Sequence, residues 1–347
     1  MINPKLRVGQ DCRYMNYSAI FEYLNKSELA AAYTYFDTVY EFETFTTFND
    51  DKDPKEHISK DNDLLITGEI KSGYRSLLHD LCNQKVEASN CFKVKYINIS
   101  TTTLEKLQEN YLSKKKPVII PVDHYYLMED YRKENVISPS YHSSFHAAVL
   151  LNVDFKNNEC LLLDKFFKFY GKVSLENFLR AMNSEYLVVK GEVSYIDTFD
   201  DNFKVKVNYS ILEQVVQTGL KITVGVKGTE KMFDDFARII ESMYEQKGVY
   251  APLYTTNLMQ PIRLQKESVA NHLESLCNKA ELIIPECLIA QIHEVANEWN
   301  KLDILCDKAY LSNTHMKKML DVFNNVLDRI VYLENKVYEE LQDLLLI

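Results

Sequence analysis

Glycine and proline are scarce in this chain, with 9 and 8 among 347 residues. So small a supply of turn formers excludes a collagen-like or loop-rich all-β architecture. Cysteine shows no useful order: the 7 are an odd number, and no two form a Cys-x-x-Cys pair. That excludes a regular disulfide framework and a zinc ribbon, and leaves reduced thiols as the expectation. No apolar run approaches the ~18 residues of a membrane span. The start, Met1-Ile2-Asn3-Pro4-Lys5-Leu6-Arg7, meets polar residues at once and lacks the apolar stretch of a secretory signal. The expectation is a soluble, cytoplasmic protein with no membrane partner. Positive charge is also short, since 40 Lys+Arg against 50 Asp+Glu give a net charge of −10. A nucleic-acid binder normally carries a basic footprint, so no nucleic-acid partner is expected.

What the chain does have is apolar and aromatic mass. With 46% hydrophobic and 26% charged residues it can bury a sizeable core, and its length fits about two domains of ~100–200 residues each. The 23 Tyr and 17 Phe point to aromatic-lined interiors or cavities.

Apolar spacing predicts a helix over Cys12 to Tyr35, striped by Ala19, Ile20, Tyr23 and Leu24. Further helices are expected near Gly73 to Asn83 and over Thr103 to Leu112, the latter behind a Thr-rich start suited to capping. Pro117 to Val122 is a short β-branched run bracketed by prolines and reads as a buried strand. Phe145 to Val153 and Glu159 to Asp164 form an antiparallel hairpin turning at Asn157-Asn158. A helix behind Ser174 then leads to a strand over Glu185 to Lys190. Beyond about Asn208 the texture becomes helical, over Glu230 to Gln246, Ile262 to Leu282, Glu286 to Leu311 and Thr314 to Leu345. Pro261 and Pro285 fall where helices should start. The fold class expected is α+β: a catalytic domain over 1–207, followed by an all-α helical bundle over 208–347 that shapes a substrate pocket.

Cys12 stands at the head of the first helix, where the positive end of the helix dipole favours a thiolate. Alternatively it is a small buried apolar residue. His146 opens the first hairpin strand and Asp164 closes the second, so antiparallel pairing brings both to one sheet edge. Asp164 can then fix the imidazole tautomer and leave the other nitrogen to deprotonate a thiol. Each residue also has an ordinary structural explanation, but the three together are more specific than any one. Asp123, Tyr125 and His142 follow the buried strand or precede His146 and are candidate pocket residues. His142 and His146 are also an i, i+4 pair. That spacing binds zinc on a helix, but the flanks read as a loop entering a strand, so no metal is expected. Lys114-Lys115-Lys116 is either a solvated loop or a contact for an acidic partner. Cys82, Cys91, Cys160, Cys277, Cys287 and Cys306 are expected to be core or surface thiols.

This constellation, with Ser144-Phe145-His146 through Asp164-Lys165-Phe166 far downstream of Cys12, resembles the papain-like fold of cysteine peptidases. Over roughly residues 5–190 the nearer likeness is to the N-terminal domains of butirosin-biosynthesis-type acyltransferases, related in fold to bacteriocin-leader peptidases. Their Val-Asp-x-Tyr-Tyr pattern is matched by Val122-Asp123-His124-Tyr125-Tyr126, and their His-x-x-Val-Val stretch by His146 to Asp154. The resemblance extends to the amide-forming enzymes of polythioamide (closthioamide-type) biosynthesis. Three positions depart from the pattern. Leu6 stands where papain-like enzymes place an oxyanion-hole Gln, leaving Gln10 and the Cys12 N–H as the candidate oxyanion donors. Arg13 rather than Gly follows the cysteine, and Lys165 rather than Pro follows Asp164.

The resemblance implies a Cys12–His146–Asp164 acyltransferase in natural-product, antibiotic-type biosynthesis. It would carry an acyl chain from an acyl or peptidyl carrier protein to an amine or diamine, forming an amide through acyl–Cys12. No cofactor would be bound by the chain itself, since phosphopantetheine arrives on the carrier. Two rivals remain open. One is a cysteine peptidase or amidase using the same triad, and the other a non-catalytic binding protein on a peptidase-like fold.

Overall fold

The computed structural model is a mixed α+β structure, described over residues 6–8, 12–34, 36, 39–40, 92–98, 103–136, 141–143, 146–188, 191–199, 223–234, 251–279, 283–311 and 320–345. The described residues fall into two compact units. One comprises those within Met1–Thr34, Val86–Lys206 and Glu274–Glu281, the other those within Tyr35–Lys85, Val207–Leu273 and Leu282–Ile347.

The first unit is built on an antiparallel sheet of β1 (Phe92–Asn98), β2 (Val118–Pro121), β3 (Ala147–Asp154), β4 (Glu159–Asp164), β5 (Phe169–Ser174) and β6 (Glu192–Phe199). Their spatial order is β1-β6-β2-β3-β4-β5. β2 lies between two partners, which is why its Val118, Ile119 and Ile120 are all buried and β-branched. β3 and β4 are the expected hairpin. Asp154 Oδ1 accepts the N–H groups of Lys156 (3.1 Å) and Asn157 (3.0 Å), and Asn158 takes the left-handed conformation (φ 55°) that Asn tolerates.

Four helices flank the sheet sequence: α1 (Cys12–Tyr23), α2 (Leu104–Asn110), α3 (Met128–Lys133) and α4 (Leu175–Met182). Thr103 caps α2 by accepting from the Lys106 N–H, and Ser174 caps α4 by accepting from that of Asn177 (3.1 Å). α1 ends twelve residues before the expected Tyr35, because Asn25 turns the chain at φ 58° into a 3-10 segment over Ser27–Tyr33. Nor is α1 simply striped: every residue from Tyr14 to Phe21 is buried. Its aromatic rings stack with Tyr33, at 4.6 Å from Tyr14 and 5.6 Å from Tyr17.

The strand expected over Glu185 to Lys190 is absent from its described part. Residues 185–188 turn, and Val188 is 66% exposed. The strand comes later, as β6, because Val193, Ser194, Tyr195 and Ile196 are the residues buried between β1 and β2. The helix expected near Gly73 lies outside the described residues.

α5 (Ala251–Asn278, of which the residues to Leu273 belong to the second unit), α6 (Glu286–Leu311) and α7 (Leu320–Leu345) make the C-terminal region helical. Residues 226–234 are also helical, while the rest of the segment to Gln246 lies outside the described residues. Pro285 precedes α6 and its carbonyl accepts the Leu288 N–H at 3.0 Å. Pro261, by contrast, lies inside α5 instead of at a helix start, because α5 already begins at Ala251, with Pro252 in its first turn. Val39–Tyr40 pairs antiparallel with Thr223–Val224 in this unit. No described helix is long and apolar enough to cross a membrane.

Candidate active site

Three chain segments meet where β2 ends, β3 begins and β4 ends. Pro121 pairs with Ala147, and the Val122 N–H donates to the His146 carbonyl at 3.0 Å. His146 therefore stands immediately before β3, and Asp164 is the last residue of the adjacent β4. Their side chains meet, with His146 Nε2 2.7 Å from Asp164 Oδ2.

Asp164 is fully buried and held by three further donors. Tyr131 Oη donates to Oδ2 at 2.7 Å, while the Phe166 and Phe167 N–H groups reach Oδ1 at 3.1 and 3.2 Å. Burial alone would raise its carboxyl pKa. The His146 charge, its hydrogen bond, and the Tyr131 and Phe167 bonds outweigh burial and hold it below the ordinary range. His146 shows the converse balance. Burial disfavours its cation, but Asp164 and then the Cys12 side chain raise its pKa well above that of a free imidazole. Asp164 and His146 are thus strongly coupled.

Cys12 is the first residue of α1, half-buried, and near enough to His146 to contribute to its raised pKa. With Asp164 on Nε2, Nδ1 is the ring nitrogen left for the thiol. The Cys12 N–H belongs to the first turn of α1, the end at which a helix presents its N–H groups. Gln10, the other oxyanion candidate, lies outside the described residues. Cys160 is a contrasting thiol. It is buried in β4, and burial pushes it up to about 12, which leaves it inert. Cys277 is half-buried and Cys287 exposed; Cys82, Cys91 and the Cys306 side chain lie outside the described residues.

Two residues that sequence reasoning missed hold this geometry. Asn16 lies one turn after Cys12 and is buried. Its Nδ2 donates to the Ala147 carbonyl at 2.8 Å, so α1 is pinned beside His146. The signal was the i, i+4 spacing, which puts Asn16 on the face of Cys12. Lys165, 2% exposed, pairs with Glu22 on α1 and donates to the Leu6 carbonyl at 2.9 Å. It therefore ties the end of β4 to chain on both sides of Cys12. Lys165 acts here as a strut.

Asp123 and His142 form a second pair, His142 Nδ1 lying 2.7 Å from Asp123 Oδ2, with the Tyr125 ring 4.1 Å from the imidazole. The i, i+4 histidines thus serve different carboxylates, and no group of three His, Cys, Asp or Glu able to hold a metal occurs among the described residues. His124 is buried with its ring 5.7 Å from that of His146, edge to face. Lys114 and Lys115 are exposed, whereas Lys116 bonds Asp197 through its carbonyl (3.3 Å) and carboxylate (3.4 Å).

No protein-family model and no curated protein matches this chain in sequence.

Proposed function

We propose that this chain is a cysteine-dependent acyltransferase on a papain-like fold, forming an amide from a carrier-bound thioester and an amine. The observation that supports this reading is the bonded His146–Asp164 pair at the strand ends, with Cys12, which heads a helix, near enough to contribute to the raised pKa of His146. In this mechanism His146 takes the thiol proton as Cys12 Sγ attacks the thioester carbonyl. The tetrahedral oxyanion faces the Cys12 N–H. Collapse expels the phosphopantetheine thiolate, which receives the proton from His146, and leaves acyl–Cys12. An amine then attacks the acyl carbon, His146 accepts its proton, and Cys12 departs. The carrier brings the phosphopantetheine, so the chain's own residues supply the nucleophile, the base and orientation. Transfer from a thioester, and not peptide cleavage, is the part of this reading that rests on the resemblance of Val122 to Tyr126 and His146 to Asp154 to the butirosin-type acyltransferase pattern.

The test is product partition. Incubated with a small acyl thioester such as an N-acetylcysteamine ester, the protein should give amide when a primary amine or diamine is added and free acid when it is not. An acyl-enzyme that yields only acid with every amine, alongside cleavage of peptides, makes the protein a hydrolase.

A further inference from the structure

The second histidine–carboxylate pair hangs from the same end of the sheet as the first. Because the Val122 N–H bonds the His146 carbonyl, Asp123 follows directly beside His146 in the chain that passes it. Asp123 is fully buried and takes four donors. His142 Nδ1 and Ser184 Oγ reach Oδ2, both at 2.7 Å, and the N–H groups of Ser143 (3.0 Å) and Tyr125 (3.2 Å) reach Oδ1. Burial alone would raise this carboxyl, but these hydrogen bonds outweigh it and hold it ionised. A carboxylate accepting from Nδ1–H fixes the tautomer, so that in the neutral ring the lone pair lies on Nε2.

The ring is clamped flat. Tyr186 stacks on it at 3.8 Å and 15°, and Tyr125 lies at 4.1 Å and 39°. Tyr126 stands at 5.6 Å, with the Arg180 guanidinium 5.3 Å from the Tyr126 ring. No described residue bonds Nε2, and His142 is 27% exposed where His146 is 6%. A purely structural role explains part of this, since Asp123 caps the 3-10 turn over His124–Leu127 and fastens the chain at Ser143. It does not explain why a half-exposed imidazole is oriented by a buried carboxylate and held between two tyrosines with one nitrogen open.

Amide formation requires two protons to leave the acceptor nitrogen, and His146 has room for one. An alkylamine arrives as R–NH3+ and must become R–NH2 before it can attack. On attack, the C–N bond forms, the C–S bond to Cys12 breaks, and the second proton passes from nitrogen to His146 and then to the departing Cys12 sulfur. The first proton needs a different base, one that can return it to water.

We propose that His142 Nε2 takes that first proton, so that the Asp123–His142–Tyr125–Tyr186 face is the acceptor site and its ligand is a primary alkylammonium. This rests on the acyl-transfer reading above. The clamped imidazole accepts the proton from the docked ammonium, the neutral amine proceeds to acyl–Cys12, and His142 releases the proton to solvent.

The experiment compares two acceptors on His142→Asn, which keeps a donor for Asp123. n-Butylamine is protonated at neutral pH, whereas hydroxylamine is already neutral there. Amide formation from acyl-enzyme and butylamine should fall about a hundredfold in the variant, in line with loss of a general base. Hydroxamate formation should stay within about twofold of wild type, since no first proton must leave. The butylamine defect should also shrink as pH rises and neutral amine accumulates. Equal losses with both acceptors, or no loss with either, would overturn the assignment of His142. A wild-type protein that makes neither product overturns the acyl-transfer reading itself, which is a distinct result.

Discussion

The two units both bury charge, and they bury it in different places. In the first, Asp123, His146, Asp164 and Lys165 collect at one end of the sheet, while Val118, Ile120, Leu150 and Leu162 leave its middle apolar. In the second, Lys266 and Glu334 pair at 3.0 Å with no exposure, on α5 and α7. Thr229 Oγ1 donates to Glu334 Oε2 at 2.7 Å and Trp299 Nε1 to Oε1 at 3.0 Å, while Lys266 also bonds the Phe36 carbonyl and lies 4.1 Å from that ring. The helical cluster is closed: both carboxylate oxygens are bonded and every member is buried. The sheet-end cluster keeps two side chains within reach of solvent, the half-buried Cys12 and His142. The helical arrangement joins α5 to α7, whereas the sheet-end arrangement has the exposure that chemistry needs.

That contrast can be broken most sharply by substitution. Cys12→Ala should abolish turnover with the fold retained. His146→Ala should lower kcat by about 10³ or more and Asp164→Ala by less, because Asp164 only orients. Thermal melts and circular dichroism check the fold. The helical cluster should respond in stability instead. Glu334→Leu removes the counter-charge of buried Lys266 and should cost about 3–5 kcal/mol in urea unfolding, while the double variant Lys266→Met/Glu334→Leu recovers much of that loss. A single variant as stable as wild type would remove the distinction between the units. Asn16→Ala sits between the two kinds of effect. It leaves the Ala147 carbonyl without its partner, for a loss of about 1–2 kcal/mol, and should slow Cys12 acylation as α1 loses its pin.

The smallest effect is one of pH. The raised pKa of His146 contributes stability that is present below the ordinary imidazole range and lost as pH climbs through the folded value. The lowered pKa of Asp164 contributes stability present above the ordinary carboxylate range and lost as pH falls through its folded value. The stability gap between wild type and His146→Gln should therefore be widest between those limits and narrow at both alkaline and acid extremes. A pH-independent gap in urea midpoints would contradict the coupling.

The meeting of His146 and Asp164 was legible because an antiparallel hairpin with a polar turn determines which strand ends are neighbours. β1 and β6 were not. β1 is an edge strand whose Lys93, Lys95 and Tyr96 are exposed, so its alternation is weak, and the apolar Leu187-Val188 run just before β6 carries the stronger strand signal. α1 read as amphipathic although aromatic rings cover it on several sides. Pro261 read as a helix start because propensity penalises it in an interior, whereas α5 runs through it. Asn16 and Lys165 were invisible for a different reason. One polar residue in sequence looks like surface, and only its partner, Ala147 or Glu22, shows that it is buried.

The central claim is that Cys12, His146 and Asp164 act as one unit, and site-resolved acylation tests it most directly. After brief exposure to a small acyl thioester, intact-protein mass spectrometry should show one added acyl group, mapped to Cys12. The adduct should be absent in Cys12→Ala and slow to form in His146→Ala. Acylation that proceeds equally fast in Cys12→Ala, on the exposed Cys287, would contradict the account.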